Sequence, residues 1–114
     1  MVDVVPRFKV ARIREPRYLA DLHDCPCCIP GCQRGPIHAH HLTCGPEPKS
    51  RGLKASDRYC LPLCVYHHSA LHADGNERRW WGLWGIDASE LCQRYWDGWL
   101  ARTPGRNWWP GALA

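Results

Sequence analysis

No segment of about 18 consecutive apolar residues occurs in this 114-residue chain, so no membrane-crossing helix is expected. The N-terminus, Met1-Val2-Asp3-Val4-Val5-Pro6-Arg7, lacks a basic stretch followed by an apolar run of about 7–15 residues. A secretory leader is therefore not expected either. There is no internal repeat. Ten glycines and ten prolines leave little room for long regular elements, and a chain this short cannot bury a large core. One small domain is expected, and one that needs a staple.

Eight cysteines and seven histidines supply the material for that staple. Without a leader or a membrane span the expected compartment is the cytoplasm, where thiols stay reduced and bind metal rather than pair as disulfides. A secreted scaffold would leave about 105 pairings open for eight cysteines. The interleaving of Cys with His at ligand-like spacings argues against it.

The net charge of +4 and pI near 8.7 say little alone. Their distribution says more. Arg7, Lys9, Arg12, Arg14 and Arg17 crowd the first 17 residues, and Lys49, Arg51, Lys54 and Arg58 share one loop-like stretch. Cationic segments beside a metal site suit a polyanion such as nucleic acid.

Residues 1–15 read as a basic extended arm or edge strand. Pro16 to His23 reads as a short helix with proline in its first turn. Cys25 to Cys32 (CPCCIPGC) is a turn-rich knuckle that presents thiolates. Short strands are expected over Pro36–Leu42 and Tyr59–Leu63, separated by a polar loop over residues 43–56. A helix from Cys64 through His72 stops near Asp74-Gly75. Two more helices, Glu77–Trp84 and Ala88–Ala101, flank Gly85-Ile86-Asp87, with Asp87 and Glu90 resembling a capping box. Leu91, Tyr95 and Trp99 share one face of the second. The last dozen residues read as a loose tail.

A structural zinc takes four tetrahedral S or N ligands, commonly as two close pairs. Cys64 and His67 form one pair and the knuckle supplies the other. Cys25/Cys28, Cys28/Cys32 and Cys27/Cys32 are all admissible by spacing. Cys27/Cys32, with the Ile-Pro-Gly turn between them, is the favoured choice. Such a zinc contributes about 10–16 kcal/mol of apparent binding free energy in small peptides, more than the net stability of an ordinary domain. His68 and His72, four apart on a helix, share a face that can hold a second cation, while His67 points about 100° away. His40 and His41, adjacent on a strand end, point to opposite sides. One can ligate metal while the other acts as a base toward water, which is the division of labour that phosphodiester hydrolysis requires.

Three stretches, His38-Ala39-His40-His41-Leu42, Gly52-Leu53-Lys54-Ala55-Ser56-Asp57 and Leu61-Pro62-Leu63-Cys64-Val65-Tyr66-His67-His68-Ser69-Ala70-Leu71-His72, resemble the HNH (ββα-metal) endonuclease superfamily. More narrowly they are similar to its phage and prophage branch, which includes recombination-enhancement nucleases. The knuckle eight residues ahead of the His pair fits zinc-stapled members, and the similarity runs from about Cys25 to Asp87. The resemblance implies a small α+β fold: a ββα-metal motif stapled by structural zinc, with flanking C-terminal helices. It implies His41 as general base, and His40, His68 and His72 as ligands of a divalent cation (Mg²⁺, Mn²⁺ or Zn²⁺). No Asn lies between the His motifs, and Asp57 stands near that place, where it would orient His41 or the metal. Lys54 is a candidate phosphate contact, with Arg51, Arg58, Arg12 and Arg14 as further nucleic-acid contacts.

The organisation that follows is a basic arm with a short helix over residues 1–24, a zinc-stapled core over 25–75, Trp-rich helices over 76–103 and a flexible tail over 104–114. Trp80, Trp81, Trp84, Trp96 and Trp99 are expected to pack as a satellite core, with stacking on unpaired bases as the other reading. Trp108 and Trp109 in the tail are candidates for partner or base contact. Cys44, Cys60 and Cys92 are expected as buried or free thiols. The expected activity is metal-dependent hydrolysis of DNA with little sequence preference, in phage or prophage recombination or repair, with a recombination or replication protein as a further partner. The alternative is a non-catalytic zinc module binding DNA or protein, which would have no need of His40, His41, His68 and His72 together.

Overall fold

A computed structural model describes residues 12–48 and 53–111. Arg51 and the arm before residue 12 lie outside them. Among the described residues, four α-helices and two strands make a small α+β fold: α1 Pro16–His23, β1 Ile37–His41, β2 Cys60–Cys64, α2 Val65–Asp74, α3 Glu77–Leu83 and α4 Ala88–Leu100, with a 3-10 turn at Asp57–Tyr59 before β2. Among the described residues no helix is long and apolar enough to cross a membrane. All eight cysteines are free thiols.

Helix ends follow local chemistry. Pro16 opens α1, where its missing N–H costs nothing. The Cys64 thiol caps α2 by accepting from the His67 backbone N–H, and Gly75 ends it at φ 78°, a conformation that favours glycine. Asn76 and Asp87 cap α3 and α4 by accepting from the N–H groups of Arg79 and Glu90.

β1 and β2 pair antiparallel, with Ile37 opposite Cys64 and His41 opposite Cys60. Pro62 sits inside β2 without breaking the ladder. Its carbonyl accepts from the Cys28 N–H of the knuckle, so its backbone edge faces away from β1, where no donor is needed. This bond also fastens the knuckle to the sheet. β2 is buried along its whole length, with helices and knuckle covering it.

The core joins Tyr18 and Leu22 of α1, Leu61 and Leu63 of β2, Leu71 of α2, Trp80 and Trp81 of α3, and Cys92, Tyr95 and Trp99 of α4. Two expectations about tryptophan need correction. Trp84 is 44 % exposed rather than core, because it follows the last turn of α3 and faces outward. The tail from Pro104 to Gly111 is not loose: Trp108 and Trp109 pack on the core. Trp108 lies 6.1 Å from Tyr18 and 6.2 Å from Tyr95 between ring centroids. The expectation failed because proline and glycine mark turns, while two adjacent tryptophans hold far more apolar area than a solvated tail leaves in water.

Candidate functional site

Four ligand atoms of Cys27, Cys32, Cys64 and His67 converge on one point. Cys64 Sγ stands at the junction of β2 and α2, and His67 one turn on. The knuckle turn brings Cys27 and Cys32 to face them. A tetrahedral ion with metal–sulfur bonds of about 2.3 Å and metal–nitrogen bonds of about 2.05 Å separates sulfurs by about 3.8 Å and sulfur from nitrogen by about 3.6 Å. Here Cys32 Sγ and Cys64 Sγ lie 3.8 Å apart, Cys27 Sγ and His67 Nδ1 3.6 Å, and Cys64 Sγ and His67 Nδ1 3.3 Å. The donor set fits such an ion. Burial pushes the Cys64 thiol up, but the His67 backbone N–H and neighbouring thiols outweigh it and hold it below its ordinary value. Cys25 and Cys28, the other knuckle thiols, lie outside the group. The Cys25 thiol turns to the Asp21 carbonyl, and burial pushes it up to about 12.

His40, His68 and His72 form a second convergent group. His40 Nδ1 and His72 Nε2 each lie 3.1 Å from His68 Nε2, close to the ~3.3 Å between nitrogens on a tetrahedral ion. Two of the far nitrogens are engaged elsewhere. His40 Nε2 lies 2.8 Å from the buried Glu77 carboxylate, and His68 Nδ1 lies 2.8 Å from His38 Nδ1. Burial and the neighbouring imidazoles push the His68 pKa down to about 4. It is therefore neutral and ligand-competent at neutral pH. His67, one residue before, points at the cysteines, with its ring 5.4 Å from Trp84. One helix thus faces both groups.

The side chain of His41 points to the opposite side of β1 from that of His40, as alternation along the strand requires. Its Nε2–H donates to Asp57 Oδ1 at 2.8 Å, which leaves Nδ1 as a free base. Asp57 is buried at 2 % exposure. It also accepts from Arg14 Nη1 at 3.2 Å and from the Glu15 backbone N–H at 2.6 Å. Burial opposes ionisation of Asp57, but His41, Glu15 and Arg14 outweigh it and lower its pKa. Burial depresses His41 below 6.5 against the opposing pull of Asp57. Cys60 approaches this pair, yet His41 and Asp57 are in direct hydrogen-bond contact and a guanidinium holds the carboxylate. That arrangement is a hydrogen-bonded dyad rather than a cation site.

The two neighbouring imidazoles, His40 and His41, line one cavity of about 240 Å³ together with Thr43, Lys54, His68 and His72. Lys54 is exposed at its rim. A larger cavity of about 800 Å³ lies between the knuckle, α4 and Trp109, away from the His41–Asp57 dyad and the three-histidine group.

The other described cationic candidates are engaged by partners within the chain. Arg14 is tied inward by the Asp57 carboxylate and the carbonyls of Lys54 and Ala55. Arg12 is held by the Glu47 carbonyl at 3.1 Å, with the Glu47 carboxylate 3.7 Å away. Arg58 bonds Gln93 and lies over the Tyr59 and Trp96 rings. All three are structural braces here. Counting charge along a sequence cannot reveal partners some 35 to 43 residues away.

Glu77 was missed by sequence reasoning. Its Oε2 accepts from His40 Nε2–H and, at 2.9 Å, from Trp81 Nε1–H. Its Oε1 accepts from the Thr43 N–H at 3.0 Å and the Thr43 hydroxyl at 2.6 Å. Burial opposes ionisation, but these donors outweigh it and hold the carboxyl down near 2. The one sequence signal was an acid set one turn ahead of Trp81 in an aromatic-rich helix.

The family model described as protein of unknown function (DUF968) matches residues 4–97, and the chain belongs to that family. No curated protein and no solved structure matches the chain.

Proposed function

We propose that this member of the DUF968 family is a metal-dependent endonuclease of the HNH type that hydrolyses phosphodiester bonds in DNA, built on a structural zinc at Cys27, Cys32, Cys64 and His67. One observation carries the reading. Ring nitrogens of His40 and His72 each lie 3.1 Å from His68 Nε2, a convergence of three candidate ligands, and the next histidine along the strand, which lines the same cavity, is held by a buried carboxylate. A divalent cation bound by three neutral imidazoles needs this spacing, about 3.3 Å between nitrogens. A non-catalytic zinc module has no use for the His41–Asp57 dyad.

In this reading His40, His68 and His72 hold a divalent cation, which when bound stabilises negative charge on the phosphate and the leaving oxygen. His41 Nδ1 takes the proton from the attacking water. Water oxygen bonds to phosphorus, the bond to the leaving oxygen breaks, and the proton rests on His41. Asp57 holds the ring in the tautomer that leaves Nδ1 free and stabilises the imidazolium that forms. Lys54 contacts the phosphate from the rim, a contact that carries affinity and no sequence information.

The test is nicking of supercoiled plasmid with Mg²⁺, Mn²⁺ or Zn²⁺. His41→Ala is expected to stay folded and zinc-loaded and to cut about 10²–10⁴-fold more slowly. Equal rates for variant and wild type overturn the assignment of the base. Failure of the wild type to cut with any of these ions favours the binding module.

A further inference from the structure

The proposed cation site has two neighbours behind its ligands, Glu77 behind His40 and His38 behind His68, and they are not equivalent. An imidazole binds a cation only through a nitrogen that carries no proton, so whatever fixes the proton on the far nitrogen decides whether the ligand works. His38 is itself an imidazole and can either donate or accept. Glu77 can only accept.

We propose that Glu77 is a positioning residue of the cation site: its carboxylate locks the proton of His40 on Nε2 and so presents Nδ1 to the metal. This rests on the reading of His40, His68 and His72 as a cation site. The four donors that converge on Glu77 are Trp81 Nε1–H, the Thr43 N–H, the Thr43 hydroxyl and His40 Nε2–H, two on each oxygen. Only a side chain with acceptors at both ends satisfies all four. A glutamine amide would set its NH₂ either against Thr43 or against Trp81 and His40. In the second orientation His40 Nε2 becomes an acceptor, its proton moves to Nδ1, and the ligand is lost.

Geometry makes the lock rigid. His40 and Glu77 are both buried, at 4 % and 8 % exposure, so water cannot take the place of the carboxylate. The Trp81 and Thr43 bonds fix Glu77 from two other directions. β1, the strand's exit at Thr43 and α3 are thereby gathered on one carboxylate, 34 to 37 residues from its partners in β1 and beyond.

The experiment is a Zn²⁺ or Co²⁺ titration of protein holding its cysteine-bound zinc, with nitrogen-15 detection of the His40 tautomer. The proposal expects wild-type His40 protonated on Nε2 before the second ion is added. It expects Glu77→Gln to weaken that second ion about 10–100-fold, with a shift of the His40 tautomer. Trp81→Phe, which removes another donor from the same oxygen, is expected to lose stability but keep the affinity within about threefold. His40 protonated on Nδ1 in the wild type overturns the proposal without need of any variant. So does a Glu77→Gln protein that binds as tightly as wild type, or a Trp81→Phe loss of affinity as large as that of Glu77→Gln. A wild type that takes up no second ion overturns the cation-site reading itself, and this inference with it.

Discussion

His41 Nε2 lies 2.8 Å from Oδ1 of Asp57, and the carboxylate that holds it is itself held by Arg14 and by the backbone of Glu15. The ring cannot turn without breaking a bond to a buried charge. A base is useful only if one ring nitrogen stays free, and this contact occupies Nε2 and leaves Nδ1 free on a residue that lines the cavity.

Asp57→Asn is therefore expected to lower the cutting rate by about 10–100-fold, the usual effect of removing an orienting partner. The same variant tests the electrostatics. Burial depresses the His41 pKa and Asp57 opposes that fall, so removing the negative charge depresses it further. In an NMR titration the wild-type His41 ring should titrate below 6.5 and the Asp57→Asn ring lower still. The acidic limb of the activity profile should move to lower pH in the same direction. A shift upward would show that Asp57 does not act on His41 as a charge.

Arg14 and Lys54 separate two roles that sequence alone merged. Arg14 braces Asp57 and two loop carbonyls, whereas Lys54 stands exposed at the cavity rim. Lys54→Ala should weaken DNA binding about equally for all sequences and reduce the slope of log affinity against log salt by about one. Arg14→Ala should leave that slope unchanged and cost about 1 kcal/mol of stability, a modest figure because the Arg14 side chain is 38 % exposed. Equal changes in slope for both variants would return Arg14 to the set of phosphate contacts.

The parts of this molecule legible in its sequence are those written in short spacings. Cys64 and His67 sit one turn apart, His68 and His72 share a helix face, and Asp87 caps the helix that follows it. The structure groups Cys27 and Cys32, rather than the other knuckle pairs that spacing left open, with Cys64 and His67. What was not legible depends on contacts between distant segments. Glu77 reads as an ordinary acid in the first turn of a helix until the fold sets it against His40. Arg12 and Arg14 read as free cations until Glu47 and Asp57 are placed beside them. The Trp108-Trp109 pair reads as tail because its partner surface, around Tyr18 and Tyr95, belongs to helices far earlier in the chain.

Removal of the zinc proposed at Cys27, Cys32, Cys64 and His67 should unfold the chain rather than merely inactivate it. The about 10–16 kcal/mol that such an ion contributes exceeds the roughly 5–15 kcal/mol net stability of a domain. A chelator strong enough to strip it should abolish the near-ultraviolet circular dichroism of the buried tryptophans. Cys32→Ser should do the same at equal zinc concentration. Cys25→Ser should keep one tightly held zinc per chain, because the Cys25 thiol points at the Asp21 carbonyl instead. Loss of that zinc in Cys25→Ser would reassign the knuckle pair.

Two helical glycines predict opposite outcomes for the same substitution. A glycine inside a helix costs roughly 0.5–1 kcal/mol relative to alanine, so Gly→Ala stabilises wherever the added methyl has room. At Gly82 in α3 a Cβ meets nothing within 4 Å, and Gly82→Ala should stabilise by about that amount. At Gly98 in α4 a Cβ would run into the backbone carbonyl of Trp108, which cannot rotate away as a side chain can. The clash outweighs the helix gain, and Gly98→Ala should destabilise by about 1–3 kcal/mol, the usual cost of overpacking. The damage should be local, because the displaced segment is the tail: Trp108 fluorescence should shift toward that of a solvated ring while far-ultraviolet helicity is kept. Thermal unfolding of the two variants side by side checks the sign. If Gly98→Ala proves as stabilising as Gly82→Ala, then Trp108 does not rest on α4 in solution, and the tail is loose after all.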